Sequence, residues 1–558
     1  MKRRTIYLSI ITALVVICYS NIFFNQFVWD DEDFIVKNPD IGEVSNIPEY
    51  FAHPGYGGLY RPLKNVLAIV TYKIWGLNTF GYHLNGFLLH LFSTILVFYI
   101  SLRLFKKENA AFFAALIFAV HPIHTERVAG MTASFDLLGI AFYLLSFLMY
   151  LKFREAGSRK YFYYSLFAFV IALLSSEEAI TLPLVVIGYE MVFNHNKIKN
   201  AFSKAAVKET AKKIWTYFAV LSFYLITHFA VLGRAARSSE FITGDFYSTM
   251  LTMARVIIKY IRMLLFPVNL SLNDTMPFST SVFDFRVIAS LIIIALVVTY
   301  AFRQSTKNKA ASFAVFWFFI TLVPFYNIAP IDSLYAERYL YLPSLSIGII
   351  FSLLFLKIKE YRKWLAIPVI VLLVLLLSAG TINRNSEWKN GEVLWSKTIE
   401  TSPSYFGGYN NLGIIYLGQG KDIEALNLFM KTIEIKPEYA EAYNNIGIIY
   451  KRAGDYNSSI GYYKRAISLK ERYGEAYYNL GTLYNELGEF DKAVASLSEA
   501  IRVKPTYAKA YNNIGIAFMN KGKIDEAIEK FNKAIELNPG YGEAQKNLEI
   551  AFKAKKTG

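Results

Sequence analysis

The sequence predicts an all-α protein in two parts. Residues 1–384 read as a polytopic membrane helical bundle of about eleven spans, and residues 385–558 as an α-solenoid of short repeats. Three observations predict this. Of 558 residues, 54% are hydrophobic and 16% aromatic, with 45 Phe and 40 Tyr, more apolar matter than a soluble domain carries. Mean hydropathy is +0.31, and the apolar residues gather into runs of roughly 20, the length that crosses a bilayer core. From Tyr409 onward, a 34-residue period sets in. Cys18 is the single cysteine, so no internal disulfide is available and any extracytoplasmic part holds by packing alone.

The expected spans are residues 5–24, 83–103, 110–128, 131–151, 161–177, 178–194, 214–232, 287–303, 310–329, 341–357 and 364–381. Lys2-Arg3-Arg4 before the first run resembles a signal peptide, but the run is long and lacks a small-residue cleavage site, so an uncleaved anchor is expected. The stretch Met250–Pro267 carries Arg255, Lys259 and Arg262 and reads as an interfacial helix.

The net charge of +16 sits mainly among the apolar runs. From Arg384 onward there are 24 basic and 21 acidic residues, and before it 35 and 22. A basic excess confined to short loops marks the cytoplasmic side of a membrane protein, so no nucleic-acid partner is implied. One set of loops carries 23 basic residues: Lys2 to Arg4, Arg103 to Lys107, Lys152 to Lys160, Lys197 to Lys213, Arg303 to Lys309 and Lys357 to Lys363. The opposite set carries about 12 over longer loops. The N-terminus is thus expected in the cytoplasm of an integral membrane protein. An odd number of spans places the C-terminal repeats outside, beyond the plasma or inner membrane if the source is prokaryotic.

Gly413, Gly447, Gly481 and Gly515 are spaced by 34, as are Tyr409, Tyr443, Tyr477 and Tyr511, and the turn glycines Gly420, Gly454, Gly488 and Gly522. With Leu412-Gly413 and Tyr416, and with Ala425 and Phe429, this is the tetratricopeptide signature of stacked helix pairs. A half-repeat, Trp388–Ser402, joins the last span to the first full unit. Such arrays bind extended peptides or partner proteins on a concave face. Amides recurring on the first helix of each unit, Asn411, Asn445, Asn479 and Asn513, are candidates for holding a peptide backbone.

The chemistry gathers at one set of span ends. The long external loop, about residues 25–82, opens with Phe27-Val28-Trp29-Asp30-Asp31-Glu32-Asp33. Acids in a row beside an apolar span are costly near lipid. Asp30 or Asp31 suits a general base whose pKa is raised by its acidic neighbour. His121, His124 and Glu126 follow the third span, Glu177 lies between the fifth and sixth, and Asp332, Glu337, Arg338 and Tyr339 precede the tenth. The spacing of the two His and Glu126 matches no zinc motif. Acids and arginines converging on one membrane face suit a polar substrate on a lipid carrier.

At this point the chain resembles the transmembrane and tetratricopeptide-repeat O-mannosyltransferases of the GT-C glycosyltransferase superfamily. The matching pieces are Asp30-Asp31, Tyr60-Arg61-Pro62-Leu63, Gly81-Tyr82-His83, His121-Pro122 with His124-Thr125-Glu126, Leu265-Phe266-Pro267 with Asn269-Leu270-Ser271, and Glu337-Arg338-Tyr339-Leu340-Tyr341-Leu342-Pro343. The resemblance covers nearly the whole chain. It implies a GT-C-like bundle that transfers a sugar, mannose by family, from a polyprenyl-phosphate-linked donor to protein hydroxyls, with inversion. Asp30 or Asp31 would be the base, and Arg338 and then Arg61 the donor-phosphate contacts. His121, His124, Glu126, Glu177, Glu337 and Tyr339 would line the substrate pocket, and the repeats would bind the protein acceptor. A divalent cation is possible and metal dependence stays open. The family often has Ser-Lys-Glu where this chain has Ser175-Ser176-Glu177, which removes one expected phosphate contact. Two alternatives stand beside this reading: a glycosyltransferase acting on glycan or lipid with repeats that recruit partners, and a non-catalytic membrane-anchored scaffold.

Overall fold

The computed structural model describes residues 2–55, 58–193, 204–233, 240–272, 276–331 and 333–557. Asp332 and much of the Lys197–Lys213 loop lie outside them. Among the described residues the secondary structure is entirely helical. The chain forms two compact units, Met1–Lys397 and Thr398–Gly558.

In the first unit the main helices are α1 (Lys2–Tyr19), α2 (Pro62–Trp75), α3 (Thr79–Phe105), α4 (Glu108–Val120), α5 (Leu137–Ala156), α6 (Arg159–Ser175) and α7 (Leu182–Phe193). They continue as α8 (Lys204–Leu232), α9 (Phe246–Leu265), α10 (Phe285–Gln304), α11 (Lys309–Thr321), α12 (Leu345–Tyr361) and α13 (Lys363–Ser386). α4 sits at the centre, buried along most of its length and packed by α1, α3, α12 and α13. Its alanines, Ala110, Ala111, Ala114, Ala115 and Ala119, let neighbouring backbones come close, and a Cβ on Gly348 of α12 would stand 2.7 Å from the Ala114 carbonyl.

The expected eleven spans are corrected by this structure. Six helical stretches are long and apolar enough to cross a membrane among the described residues: Lys2–Phe24, Thr79–Phe105, Met131–Ala156, Ile214–Leu232, Phe285–Gln304 and Lys363–Ser386. The other five apolar runs form shorter helices, because the sequence breaks them near one end. Pro122 pushes His121 into extended backbone and stops α4 at Val120. Ser176 is extended and ends α6. The α7 run starts as a 3₁₀ turn, Glu177–Thr181. α11 passes into the turn Val323–Phe325, and α12 follows the turn Glu337–Leu340. Residues 246–265 form an amphipathic helix that buries Met253, Val256, Tyr260, Met263 and Leu264.

Ion pairs mark the two ends of the bundle. At one end Arg4 meets Glu108, Arg103 meets Glu155 at 3.3 Å, and Arg154 meets Glu190 at 2.7 Å. The broken ends of α4, α6 and α11 gather at the other, with the loop after α1 and the starts of α5 and α12.

In the second unit four helix pairs follow the predicted period: Phe406–Gly418 with Asp422–Ile435, Ala440–Arg452 with Tyr456–Leu469, Gly474–Glu486 with Phe490–Val503, and Ala508–Asn520 with Ile524–Leu537. The repeated glycines work by close approach. A Cβ on Gly413 would stand 2.7 Å from the Phe429 ring, and one on Gly515 2.5 Å from Phe531.

Candidate functional site

The site is assembled from segments that the broken helices leave at one end of the first unit. A cavity of about 480 Å³ is lined there by Trp29, Asp30, Asp31 and Asp33 from the loop after α1, and by Arg61 and Lys64 from the start of α2. Glu126 and Arg127 line it after α4, Asp136 before α5, Glu177 and Glu178 before α7, Phe325, Arg338 and Tyr339 before α12, and Trp388 after α13.

The two acids at the mouth of the first loop differ in state. Asp31 is 2% exposed and both its oxygens are occupied: Oδ2 accepts from the Val28 N–H at 3.1 Å and Oδ1 from the Thr132 N–H at 2.7 Å. Burial pushes its carboxyl up to about 6, with those two donors pulling the other way. The sequence leaves Asp30 and Asp31 as equal candidates for the base; in the structure Asp31 is a buried clamp. Asp30 is open to the cavity and its carboxylate takes no hydrogen bond among the described residues. The surrounding wall crowds it enough to raise its pKa, while the Arg338 charge lowers it.

The cations are held by buried carboxylates. The Arg338 Nη1 donates to Glu126 Oε1 at 2.6 Å, and the Arg338 backbone N–H to Glu126 Oε2 at 2.8 Å. Its guanidinium lies 5.7 Å from the centre of the Trp29 ring and 5.3 Å from that of Tyr339. Tyr339 in turn stacks on Phe325 at 3.8 Å. In the same cavity Asp136 gathers Arg61 at 2.9 Å, Lys64 at 3.0 Å and Arg127 at 2.7 Å. Arg61 also reaches Glu177 at 3.4 Å, and Arg127 pairs with Glu178. Arg127 joins the two groups, because its Nε–H donates to the Arg338 carbonyl at 3.1 Å. Burial lowers the Lys64 ammonium to about 8, against the pull of Asp136.

This arrangement has the parts for proton transfer beside an anionic group: an accessible carboxylate and fixed guanidinium groups in one concavity. Among the described residues no group of three or more His, Cys, Asp or Glu is placed to hold a metal ion.

Comparison with known proteins adds to the geometry. Residues 53–211 match the family model described as dolichyl-phosphate-mannose-protein mannosyltransferase. Tetratricopeptide-repeat models match residues 408–472, 462–495, 481–522 and 508–541. A protein O-mannosyl-transferase of Caenorhabditis elegans is 26% identical over 436 residues, 75% of this chain and 61% of that protein. Another, of Mus musculus, is 26% identical over 479 residues, 74% of this chain and 64% of its own length. The chain is a relative of the protein O-mannosyl-transferases. It spans about three fifths of the length of these curated relatives. A crystal structure of MamA is 32% identical and covers 27% of this chain and 87% of its own, with a TM-score of 0.25.

Of the residues singled out by the O-mannosyl-transferase resemblance, Asp30, Asp31, Arg61, Glu126, Glu177, Arg338 and Tyr339 share the cavity. His121, His124 and Glu337 do not line it. The His121 Nε2–H donates to the Leu264 carbonyl at 3.0 Å while its Nδ1 accepts from the Ile123 N–H, and burial lowers its pKa to about 4. The His124 Nε2 meets the Ser344 hydroxyl at 2.7 Å, its buried ring packed at a tilt against Phe118 and Tyr341. Both imidazoles are neutral parts of the core. Glu337 is 1% exposed and accepts from the Arg384 Nη2 through both carboxylate oxygens, at 3.1 and 3.2 Å.

The repeat amides are partly spent between units. Asn479 donates to Asn444 at 2.9 Å and Asn513 to Thr482 at 2.9 Å, while Asn411 accepts from Asn410 at 3.4 Å. Asn445 makes no side-chain hydrogen bond among the described residues.

Sequence reasoning gave no role to Lys64, Arg127, Asp136, Glu178 and Trp388. Lys64 had a readable signal: it follows Arg61 by three residues on a helix started by Pro62, which puts both cations on one face. Asp136 had none, since its partners come from two other elements, Arg61 and Lys64 from the start of α2 and Arg127 from the turn after α4.

Proposed function

We propose that this protein is a membrane glycosyltransferase that moves a sugar, mannose by kinship, from a polyprenyl-phosphate carrier to protein hydroxyls on the extracytoplasmic side. The observation that carries the reading is Asp30: an accessible, unbonded carboxylate in a cavity that Arg338 and Arg61 also line. Asp30 takes the proton from the acceptor hydroxyl. The freed oxygen attacks C1 of the sugar as the C1–O bond to phosphate breaks, which inverts the anomeric centre, and the polyprenyl phosphate leaves. Charge develops on the leaving phosphate, so a prepositioned guanidinium favours the transition state over the ground state. Arg338 lies near the Trp29 and Tyr339 rings and donates to Glu126 through Nη1, which fixes it without engaging every donor. Arg61, with Lys64 beside it, forms the second cationic wall and takes the place of the Lys missing at Ser176.

The shorter helices complete the crossing in this reading. Each is broken at the end that carries the cavity, so the site lies at the depth of a lipid phosphate. The loop charges put that end outside the cytoplasm. The repeats bind an extended segment of the acceptor, with Asn445, the Asn411 amide N–H groups and the Asn479 amide oxygen as backbone contacts, while both ends of the Asn513 amide are held by Thr482 and Asn512.

The test is turnover with a polyprenyl-phosphate sugar and a hydroxyl-bearing peptide, using full-length protein in lipid. Asp30→Asn is expected to lower turnover by about 10² or more with donor binding and melting unchanged. Normal transfer by a well-folded Asp30→Asn protein would falsify the assignment.

A further inference from the structure

Trp29 has a backbone conformation that its side chain disfavours. Its φ is +55°, in the left-handed region that a bulky residue rarely enters and where glycine is at ease. The surrounding turn enforces it. The Asp31 N–H donates to the Val28 carbonyl at 3.1 Å and the Glu32 N–H to the Trp29 carbonyl at 3.2 Å. The Asp31 side chain clamps Val28 at 3.1 Å and ties the turn to Thr132 at 2.7 Å. The turn's backbone alone would be best served by glycine; a tryptophan there implies a use for the ring, because strain held by its surroundings collects at functional sites.

The ring has two neighbours of different kinds. Trp395 meets it edge-on at 6.0 Å and 85°, and Trp395 is itself 3% exposed, a rigid support. The Arg338 guanidinium lies over it at 5.7 Å, with Tyr339 as a second ring at 5.3 Å. A cation near an aromatic face is attracted by the ring's negative potential. Asp30 is the next residue after Trp29, so the same turn that places the ring presents the carboxylate.

We propose that Trp29 is a positioning residue that sets the Asp30 carboxylate and the Arg338 guanidinium in register across the cavity, one through its backbone and the other through its ring face. This rests on the roles of Asp30 and Arg338 given above. The spacing of base and leaving-group cation then depends on one side chain instead of two independent loops, and misplacing either reacting partner is costly in rate.

Two substitutions separate this from plain packing. Trp29→Leu keeps apolar bulk and removes the π face; Trp29→Phe keeps a π face. For the full chain in lipid, with a polyprenyl-phosphate sugar as donor, Trp29→Leu is expected to lower kcat/KM for the donor by about 10- to 10²-fold. Acceptor KM should be unchanged, and Trp29→Phe should restore most of the loss. The rise of kcat/KM with pH should also move to higher pH in Trp29→Leu, because a displaced Arg338 no longer favours the ionised Asp30. Wild-type rates in Trp29→Leu overturn the proposal. So do equal losses in both variants with lower yield or melting temperature and an unmoved pH limb, which mean packing alone. Asp30→Asn assayed alongside distinguishes the levels. If it is inactive while Trp29→Leu is normal, only the Trp29 role falls; if it is fully active, the catalytic reading falls and takes this role with it.

Discussion

Four consecutive acids follow one another from Asp30 to Asp33, and their chemistry is set by what each carboxylate touches. Asp31 accepts two backbone N–H groups, Asp33 pairs with Lys37 at 3.2 Å, and Asp30 faces the cavity unbonded. Asp31→Ala should therefore act on stability, leaving the Val28 and Thr132 donors unpaired at a cost of about 1–3 kcal/mol, read as a lower melting temperature. The sign of its pH dependence follows from burial. A folded-state value near 6 lies above that of the unfolded chain, so the folded protein binds the proton more tightly. The stabilisation from this group is complete below about pH 4 and is lost as pH rises through 6. The gap in melting temperature between wild type and Asp31→Ala should accordingly narrow from pH 4 to pH 7. An unchanging gap would show that the clamp does not titrate there. The run of four acids pointed to a site in this loop; only its three-dimensional partners told base from clamp.

At the scale of elements, the sharpest case is the end of α13. Arg384 binds Glu337 through both carboxylate oxygens and also pairs with Glu387. Glu337 is fully enclosed, and burial raises its carboxyl to about 7 even with Arg384 beside it, so removing the partner leaves a carboxyl that takes up a proton and loses both hydrogen bonds. Arg384→Met is expected to destabilise the first unit by about 1–3 kcal/mol, seen as loss of monodisperse protein on size exclusion, with Arg384→Lys intermediate. The repeats offer a cleaner pair. Gly515→Ala forces a methyl to 2.5 Å from the Phe531 ring, an overpacking that costs about 1–3 kcal/mol. Gly461 stands inside the helix Tyr456–Leu469 with nothing within 4 Å of a new Cβ. Gly461→Ala should stabilise by about 0.5–1 kcal/mol through helix propensity. Thermal melts of the two variants moving in the same direction would contradict the packing shown here. The 34-residue period marks Gly515 as special and leaves Gly461 outside the pattern, so this distinction was readable before any coordinates.

For the whole molecule, the question is which side of the membrane each end occupies. The ion pairs Arg4–Glu108, Arg103–Glu155 and Arg154–Glu190 bring three of the basic segments to one end, and the cavity is at the other. A reporter active only outside the cytoplasm should work when fused after Lys555 and fail when inserted between Lys197 and Lys213. The opposite result would reverse the orientation and put the cavity on the wrong face for an extracytoplasmic acceptor.

The sequence by itself determined what depends on local order along the chain. Apolar composition and run length gave the membrane character, and a strict period gave the repeats, because each helix needs only its own residues and each repeat only its neighbours. It read five of the helices as longer than they are, since hydropathy averages across a Pro122 or a Ser176 that ends a helix. Tertiary structure decided everything that requires distant segments to meet. Arg338 and Glu126 are 212 positions apart, and Arg61 and Asp136 are 75 apart. His121 and His124 stand beside Glu126 in sequence yet turn into the core, where a neutral imidazole satisfies a carbonyl or a hydroxyl at less cost than a charged group. Which acid stays open, which cation is held and which histidine is only packing are outcomes of burial, and burial is a property of the folded whole.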